Sequence, residues 1–180
     1  MHRQAILSLF DTYEARYPQE SETVARIRTF VQSDPRCFFR ELLVGHVTGS
    51  AWIVDATGTR ALLTHHRKLN IWVQLGGHAD GDPDIAAVAM REAEEESGLD
   101  SLRLVSPEIF DIDIHAIPAR GDEPKHFHYD CRFLIQATRD LAFTVSDESH
   151  DLKWIALAEM TRYTTEESIT RMVNKTAGWL

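Results

Sequence analysis

Cysteine, positive charge and long apolar runs are all scarce in this chain. Only Cys37 and Cys131 occur among its 180 residues, too few for a disulfide framework, so a reducing cytoplasm is the expected setting. Nineteen Lys and Arg stand against 28 Asp and Glu, a formal charge of −9 at pH 7. Phosphate neutralisation needs clustered cations, so no stable nucleic-acid partner is expected. A phosphate-bearing substrate would have to be met through a metal ion. The N-terminal MHRQAILSLFDTYEARY is broken by charge too often for a signal peptide or a membrane span, and no membrane association is expected. Internal repeats, low-complexity tracts and Pro/Gly/Ser-rich linkers are also missing, which leaves one domain over residues 1–180 as the expectation. The 43% apolar content is enough for a single core.

What is present begins with helices. Ile6, Phe10 and Tyr13, then Val24, Ile27 and Val31, recur at helical spacing, and the second run stops at Asp34-Pro35. Residues 1–40 thus read as a helical extension. From His46 the texture changes: SAWIVD, RALLTHHR and WVQLGG are short strands joined by turns. A helix over Asp84 to Ser97 ends at Gly98. Beyond it IFDIDIHAI and HFHYDCRFLI alternate as strands, AFTV and KWIAL are weaker strands, and an amphipathic helix runs from about Thr165 to Asn174.

The densest feature lies between Gly76 and Asp100. Eight acidic residues (Asp80, Asp82, Asp84, Glu92, Glu94, Glu95, Glu96, Asp100) share that stretch with the lone Arg91. At about 100° per residue, Glu92 and Glu96 fall within roughly 20° of Ile85 and Glu95 about 80° away, whereas Glu94 faces the opposite side. A charge run is ordinarily a solvated face, but three of these glutamates share the apolar side. Like charges at i, i+3 and i+4 destabilise a helix, so a compensating divalent cation is implied, and carboxylate oxygens suit Mg²⁺ or Mn²⁺.

These residues resemble the Nudix hydrolases, whose pattern is G-x5-E-x7-R-E-U-x-E-E-x-G-U with U apolar. Gly77 and the string Arg91-Glu92-Ala93-Glu94-Glu95-Glu96-Ser97-Gly98-Leu99 match at the expected spacing, within a box over 76–99. Pro83 stands where the family has its first Glu, and Asp82 and Asp84 flank it. In the family that Glu supports the box through the Arg, so either aspartate is a candidate to take over. The resemblance implies an α+β fold, the Nudix-type α/β/α sandwich with a mixed sheet, here with the N-terminal extension. It also implies that Glu92, Glu95 and Glu96, with the Gly76 carbonyl, hold Mg²⁺ or Mn²⁺, while Arg91 orients Glu92. A further acid in a later loop often completes the metal site or serves as base in this family; Glu148, six residues before Trp154, is the candidate and Asp147 its rival, with Glu92 a second candidate base. The implied reaction is attack by water on a diphosphate bridge in a nucleoside diphosphate linked to some group X. An isoprenoid diphosphate isomerase using a Cys–acid pair and a non-catalytic ligand sensor are the alternatives on the same fold.

Specificity has to come from outside the box. In HFHYDCRFLI, His126, His128, Asp130 and Arg132 point one way and Phe127, Tyr129, Cys131, Phe133 and Ile135 the other. Asp111, Asp113 and His115 separate from their apolar neighbours in the same manner. The polar face is either solvated or the wall of a substrate pocket; a histidine-rich transition-metal site lacks any tight ligand spacing to identify it. Arg67 and Lys68, at a strand end leading into the box, are candidate phosphate contacts. Trp72 reads as core rather than as a base-stacking platform, and Cys131 as a buried thiol. A homodimer is left open.

Overall fold

The computed structural model describes residues 2–67, 70–121, 124–139, 141–144 and 149–180. The N-terminal apolar spacing produces α1 (Gln4–Arg16) and α2 (Ser21–Ser33), which bury Ile6, Phe10 and Tyr13 and Val24, Ile27, Phe30 and Val31. Eight strands follow: β1 (Gly45–Val54), β2 (Arg60–His66), β3 (Trp72–Val73), β4 (Leu75–His78), β5 (Leu102–Leu104), β6 (Asp111–Ile117), β7 (His126–Ala137) and β8 (Ser149–Ala156). They are interrupted by α3 (Ile85–Ser97) and closed by α4 (Glu167–Thr176). The short β5 has no counterpart in the sequence expectation, and AFTV forms no strand over residues 142–144; residue 145 lies outside the described residues. With three residues, β5 is too short for its alternation to show.

β1 is the organising strand. Along one edge it pairs in parallel with β7, from Gly45↔Phe127 to Val54↔Gln136. Along the other it pairs antiparallel with β4 near its start (Thr48↔His78, Ser50↔Gly76) and with β2 near its end (Ile53↔Leu62). β7 carries β6 and β5 on its far edge, while β2 carries β8 and β3. The result is a mixed sheet covered on both faces.

Alternation sends each strand's residues to two different layers. Val47, Cys131, Phe133 and Ile112 meet α1, α2 and the buried residues Ile85, Val88 and Ala89 of α3. Ala51, Ile53 and Ile135 continue this side around Ala93 and Leu99. The opposite face packs Trp52, Val54 and Leu134 against Met160, Ile169 and Met172, beneath the C-terminal helix. Gly49 marks the closest approach of α3: a Cβ there would lie 2.9 Å from the Val88 side chain and 3.0 Å from the Ile85 carbonyl. No helix is long and apolar enough to cross a membrane among the described residues.

Candidate functional site

α3 is delimited by its own sequence. The Asp84 side chain accepts a hydrogen bond from the Ala87 N–H at 3.1 Å, an N-cap that satisfies one of the open donors of the first turn. At the other end Gly98 adopts a left-handed conformation (φ 66°) and donates its N–H to the Glu94 carbonyl. Between these stops the helix buries Ile85, Val88, Ala89 and Ala93. Glu92 and Glu96 are half-buried beside that stripe, whereas Glu94 and Glu95 are exposed.

The carboxylate of Glu92 rests on the Gly76-Gly77 segment of β4. A Cβ on Gly77 would come within 2.3 Å of Glu92 Oε2 and 2.6 Å of its Cδ, so only glycine leaves room for the carboxylate there. Gly76 serves a different contact: its Cβ would meet the Ser50 backbone at 2.7 Å on the paired strand β1. The donor set of clustered carboxylates beside a backbone turn fits a hard divalent cation such as Mg²⁺. Replacing Gly77 by Ala should push the Glu92 carboxylate aside and lower apparent Mg²⁺ affinity about tenfold with an unchanged melting temperature. Metal-activation curves and thermal unfolding check both halves of that expectation.

The turn before α3 corrects one expectation. Asp82 accepts from the Asp84 N–H at 2.9 Å and Asp84 caps the helix, so both carboxylates are used by the local backbone and neither pairs with Arg91. Pro83 fixes the chain direction between them. Arg91 instead donates to the His78 carbonyl at 3.4 Å and reaches Glu92 Oε1 at 3.5 Å. The acid in the field of Arg91 is Asp80, whose carboxyl is held low by its hydrogen-bonded ion pair with Arg40. Arg40 is itself in the field of Glu92. Sequence spacing gave no hint of Arg40, because three strands, β1, β2 and β3, separate it from the box.

The polar face of β6 and β7 is not a solvated one. Asp130 is 1% and Arg132 2% exposed. Asp130 accepts from Thr48 and Ser50 of β1, Gln74 and Arg132 Nε. Arg132 also bridges to Asp111 at 3.2 Å and Asp113 at 3.4 Å. From α4, Arg171 and Lys175 each reach Asp111 at 2.7 Å, and Lys175 pairs with Glu20. α4 thus covers this part of the face and turns Asp130 and Arg132 into an internal ion network. Their expected substrate contact is withdrawn for that reason.

Four histidines gather where the same face continues past the network. His46 on β1 is 2% exposed, and its ring lies 4.9 Å from His78, 5.1 Å from His126 and 4.8 Å from His128. His126 bonds the Pro124 carbonyl through Nδ1. Burial pushes His46 down to about 4 and His128 to about 2, and the neighbouring histidines push in the same direction. Neither His46 nor His78 was a sequence candidate; each lies on a different strand from the HFH string.

The remaining candidates scatter. Arg67 sits in the turn after β2 and is exposed, while Lys68, Asp147 and Glu148 lie outside the described residues. Trp72, expected in the core, is half-buried: it stacks on His65 at 5.1 Å and packs at the margin of the cluster around Trp52 and Met160. Cys131 is fully buried and burial raises its thiol; Cys37 is likewise buried and pushed up to about 11. Both thiols are buried, so the isomerase alternative finds no accessible cysteine for its Cys–acid pair.

The family description "NUDIX domain" matches residues 45–175, which takes in the sheet, α3 and most of α4. Among curated proteins, none matches the chain by sequence. A binary complex of the C. elegans Ap4A hydrolase superposes with a TM-score of 0.59 at 18% identity, covering 73% of this chain and 95% of that one. A NUDIX-family hydrolase from Clostridium perfringens gives 0.55 at 23% identity over 73% and 96%. The NUDIX domain of Shewanella oneidensis NrtR, complexed with ADP ribose, gives 0.53 at 13% identity over 83% and 96%. At these identities the likeness is one of fold: a mixed sheet between helical layers, with the extra N-terminal helices of this chain outside the matched residues.

Proposed function

This chain belongs to the NUDIX domain family and is a Nudix hydrolase, an enzyme acting on phosphoric anhydrides, and from that premise we propose that it is a metal-dependent pyrophosphohydrolase of nucleoside diphosphate derivatives. The observation that carries the reading is the Glu92 carboxylate seated on Gly77, with Glu96 one turn further along the same half-buried side of α3.

Glu92, Glu95 and Glu96 would hold Mg²⁺ or Mn²⁺, together with the Gly76 carbonyl and Glu148. When bound, such an ion neutralises phosphate oxygens and makes water a better nucleophile. The protein's own part is positioning and proton transfer. Arg91, fixed to the His78 carbonyl, keeps Glu92 oriented. Water adds its oxygen to one phosphorus of the bridge, a carboxylate of Glu92 or Glu148 takes the water's proton, and the bridging P–O bond breaks to release the second phosphate. Arg67 and Lys68, at the strand end before the box, are proposed as contacts to the phosphates or to group X. His126 would lie toward X, with His128 beside it on the strand and Asp130 and Arg132 holding the wall behind them.

Two of the neighbours named above are an Ap4A hydrolase and a domain complexed with ADP ribose, which supports this substrate class. Pro83 in place of the first box Glu and the ADP ribose-bound NrtR domain favour a second reading, a ligand sensor without turnover. Incubating the protein and Mg²⁺ with a dinucleoside polyphosphate, ADP-ribose, a nucleotide sugar and a nucleoside triphosphate separates the two. Hydrolysis predicts phosphorus-31 signals of new monophosphate or pyrophosphate products from at least one compound. Saturable binding with no product from any of them would establish the sensor.

A further inference from the structure

We propose that His46, His78 and His128 form a binding site for a divalent transition metal of the zinc class, separate from the carboxylate cluster of α3. One potential ligand nitrogen from each residue lies within 4.8 Å of the other two. The site goes beyond the hydrolase reading and does not depend on it.

Sheet register explains how residues so far apart in sequence meet. His46 is paired directly with His128 across the parallel β1–β7 ladder, and His78 pairs with Thr48, two residues along β1 on the same face. Three adjacent strands therefore aim imidazoles at one point. Around a tetrahedral ion with Zn–N of about 2.0–2.1 Å the nitrogens stand about 3.4 Å apart, so rotation of the rings by roughly an ångström closes the set.

The polar atoms of the cluster give the second observation. Both ring nitrogens of His46 and Nε2 of His128 are buried without a hydrogen-bond partner. A buried polar atom left in that condition calls for a ligand, an ion or an ordered water. Neutral imidazole is the form that donates a lone pair to a metal. Imidazole nitrogen favours zinc-class ions over Mg²⁺, which prefers oxygen. His115, whose ring lies 5.4 Å from His128, is turned through Nδ1 to Asp113. It stands beside the trio as a supporting group, and three protein ligands leave a fourth position open.

The full chain, stripped with a chelator and returned to millimolar Mg²⁺ to fill the carboxylate cluster, should bind one equivalent of Co²⁺ with the visible absorption of a four-coordinate ion. Zn²⁺ should displace it and raise the melting temperature. His78→Gln and His128→Gln should each weaken Co²⁺ binding at least about tenfold, whereas Glu96→Gln should leave it unchanged. Imidazole nitrogen-15 NMR of the unmodified protein keeps the test independent of variant folding: Zn²⁺ should shift three of the nine histidines. The proposal is overturned if Co²⁺ does not bind stoichiometrically in Mg²⁺, if it is lost with Glu96→Gln, or if Zn²⁺ shifts no histidine, as ordered water in the cluster would predict.

Discussion

Glu96→Gln is expected to lower kcat/KM at limiting Mg²⁺ by about 10²-fold or more while leaving the melting temperature in place. The substitution keeps the shape of a half-buried side chain and removes one negative charge from a helix that carries four glutamates in five residues. Loss of a group that only orients a metal ligand costs 10- to 100-fold, so loss of a ligand itself should cost no less. Because neighbouring glutamates repel one another without the cation, the folded apoprotein should be unharmed or slightly stabilised. Excess Mg²⁺ should recover part of the rate if Glu96 acts through affinity. A folded Glu96→Gln protein matching the parent at every Mg²⁺ concentration would remove the metal platform from α3.

The largest stability effect is expected from Asp111→Ala. Asp111 is wholly buried and accepts from Arg132, Arg171 and Lys175. Four carboxylates (Glu20, Asp111, Asp113, Asp130) face those three cations. Breaking one partner out of a buried ion network leaves the others uncompensated and costs about 3–5 kcal/mol, on the order of 10 °C in melting temperature for a chain of this length. Urea unfolding of the variant measures it directly, and a loss below about 1 kcal/mol would mean that water reaches the network. The same network sets the acid limb of stability. Burial alone would raise the Asp113 carboxyl, but the His115 hydrogen bond and the charges of Arg132 and Arg171 outweigh it and hold the group well below the usual carboxylate range. A folded-state pKa below the unfolded value contributes stability that is present above about pH 4 and is lost as the pH falls further. Asp113→Asn should accordingly flatten the pH dependence of unfolding below pH 4 and leave its slope above pH 5 unchanged.

Much of this was legible from local pattern. The Gly98 stop, the apolar stripe and the placing of Glu92 and Glu96 beside it lie within α3 and its flank, so spacing at 3.6 residues per turn determined them, whereas Glu95, expected on the same side, is exposed. Spacing likewise determined the inward-facing sets of α1 and α2, and two-residue alternation separated His126, His128, Asp130 and Arg132 from Cys131 and Phe133. Alternation says which residues share a face, not what lies upon it. That depended on α4, whose Arg171 and Lys175 arrive from 41 and 45 residues beyond Asp130 and convert a polar strand face into a buried network. The same limit applies to the histidines. His126 and His128 are two apart in sequence, but His46 and His78 join them only because β1 pairs with β7 on one edge and β4 on the other. Register between distant strands comes from burying every strand's apolar face at once, a condition on the whole chain, and for that reason only the tertiary structure could bring His46, His78 and His128 to one point.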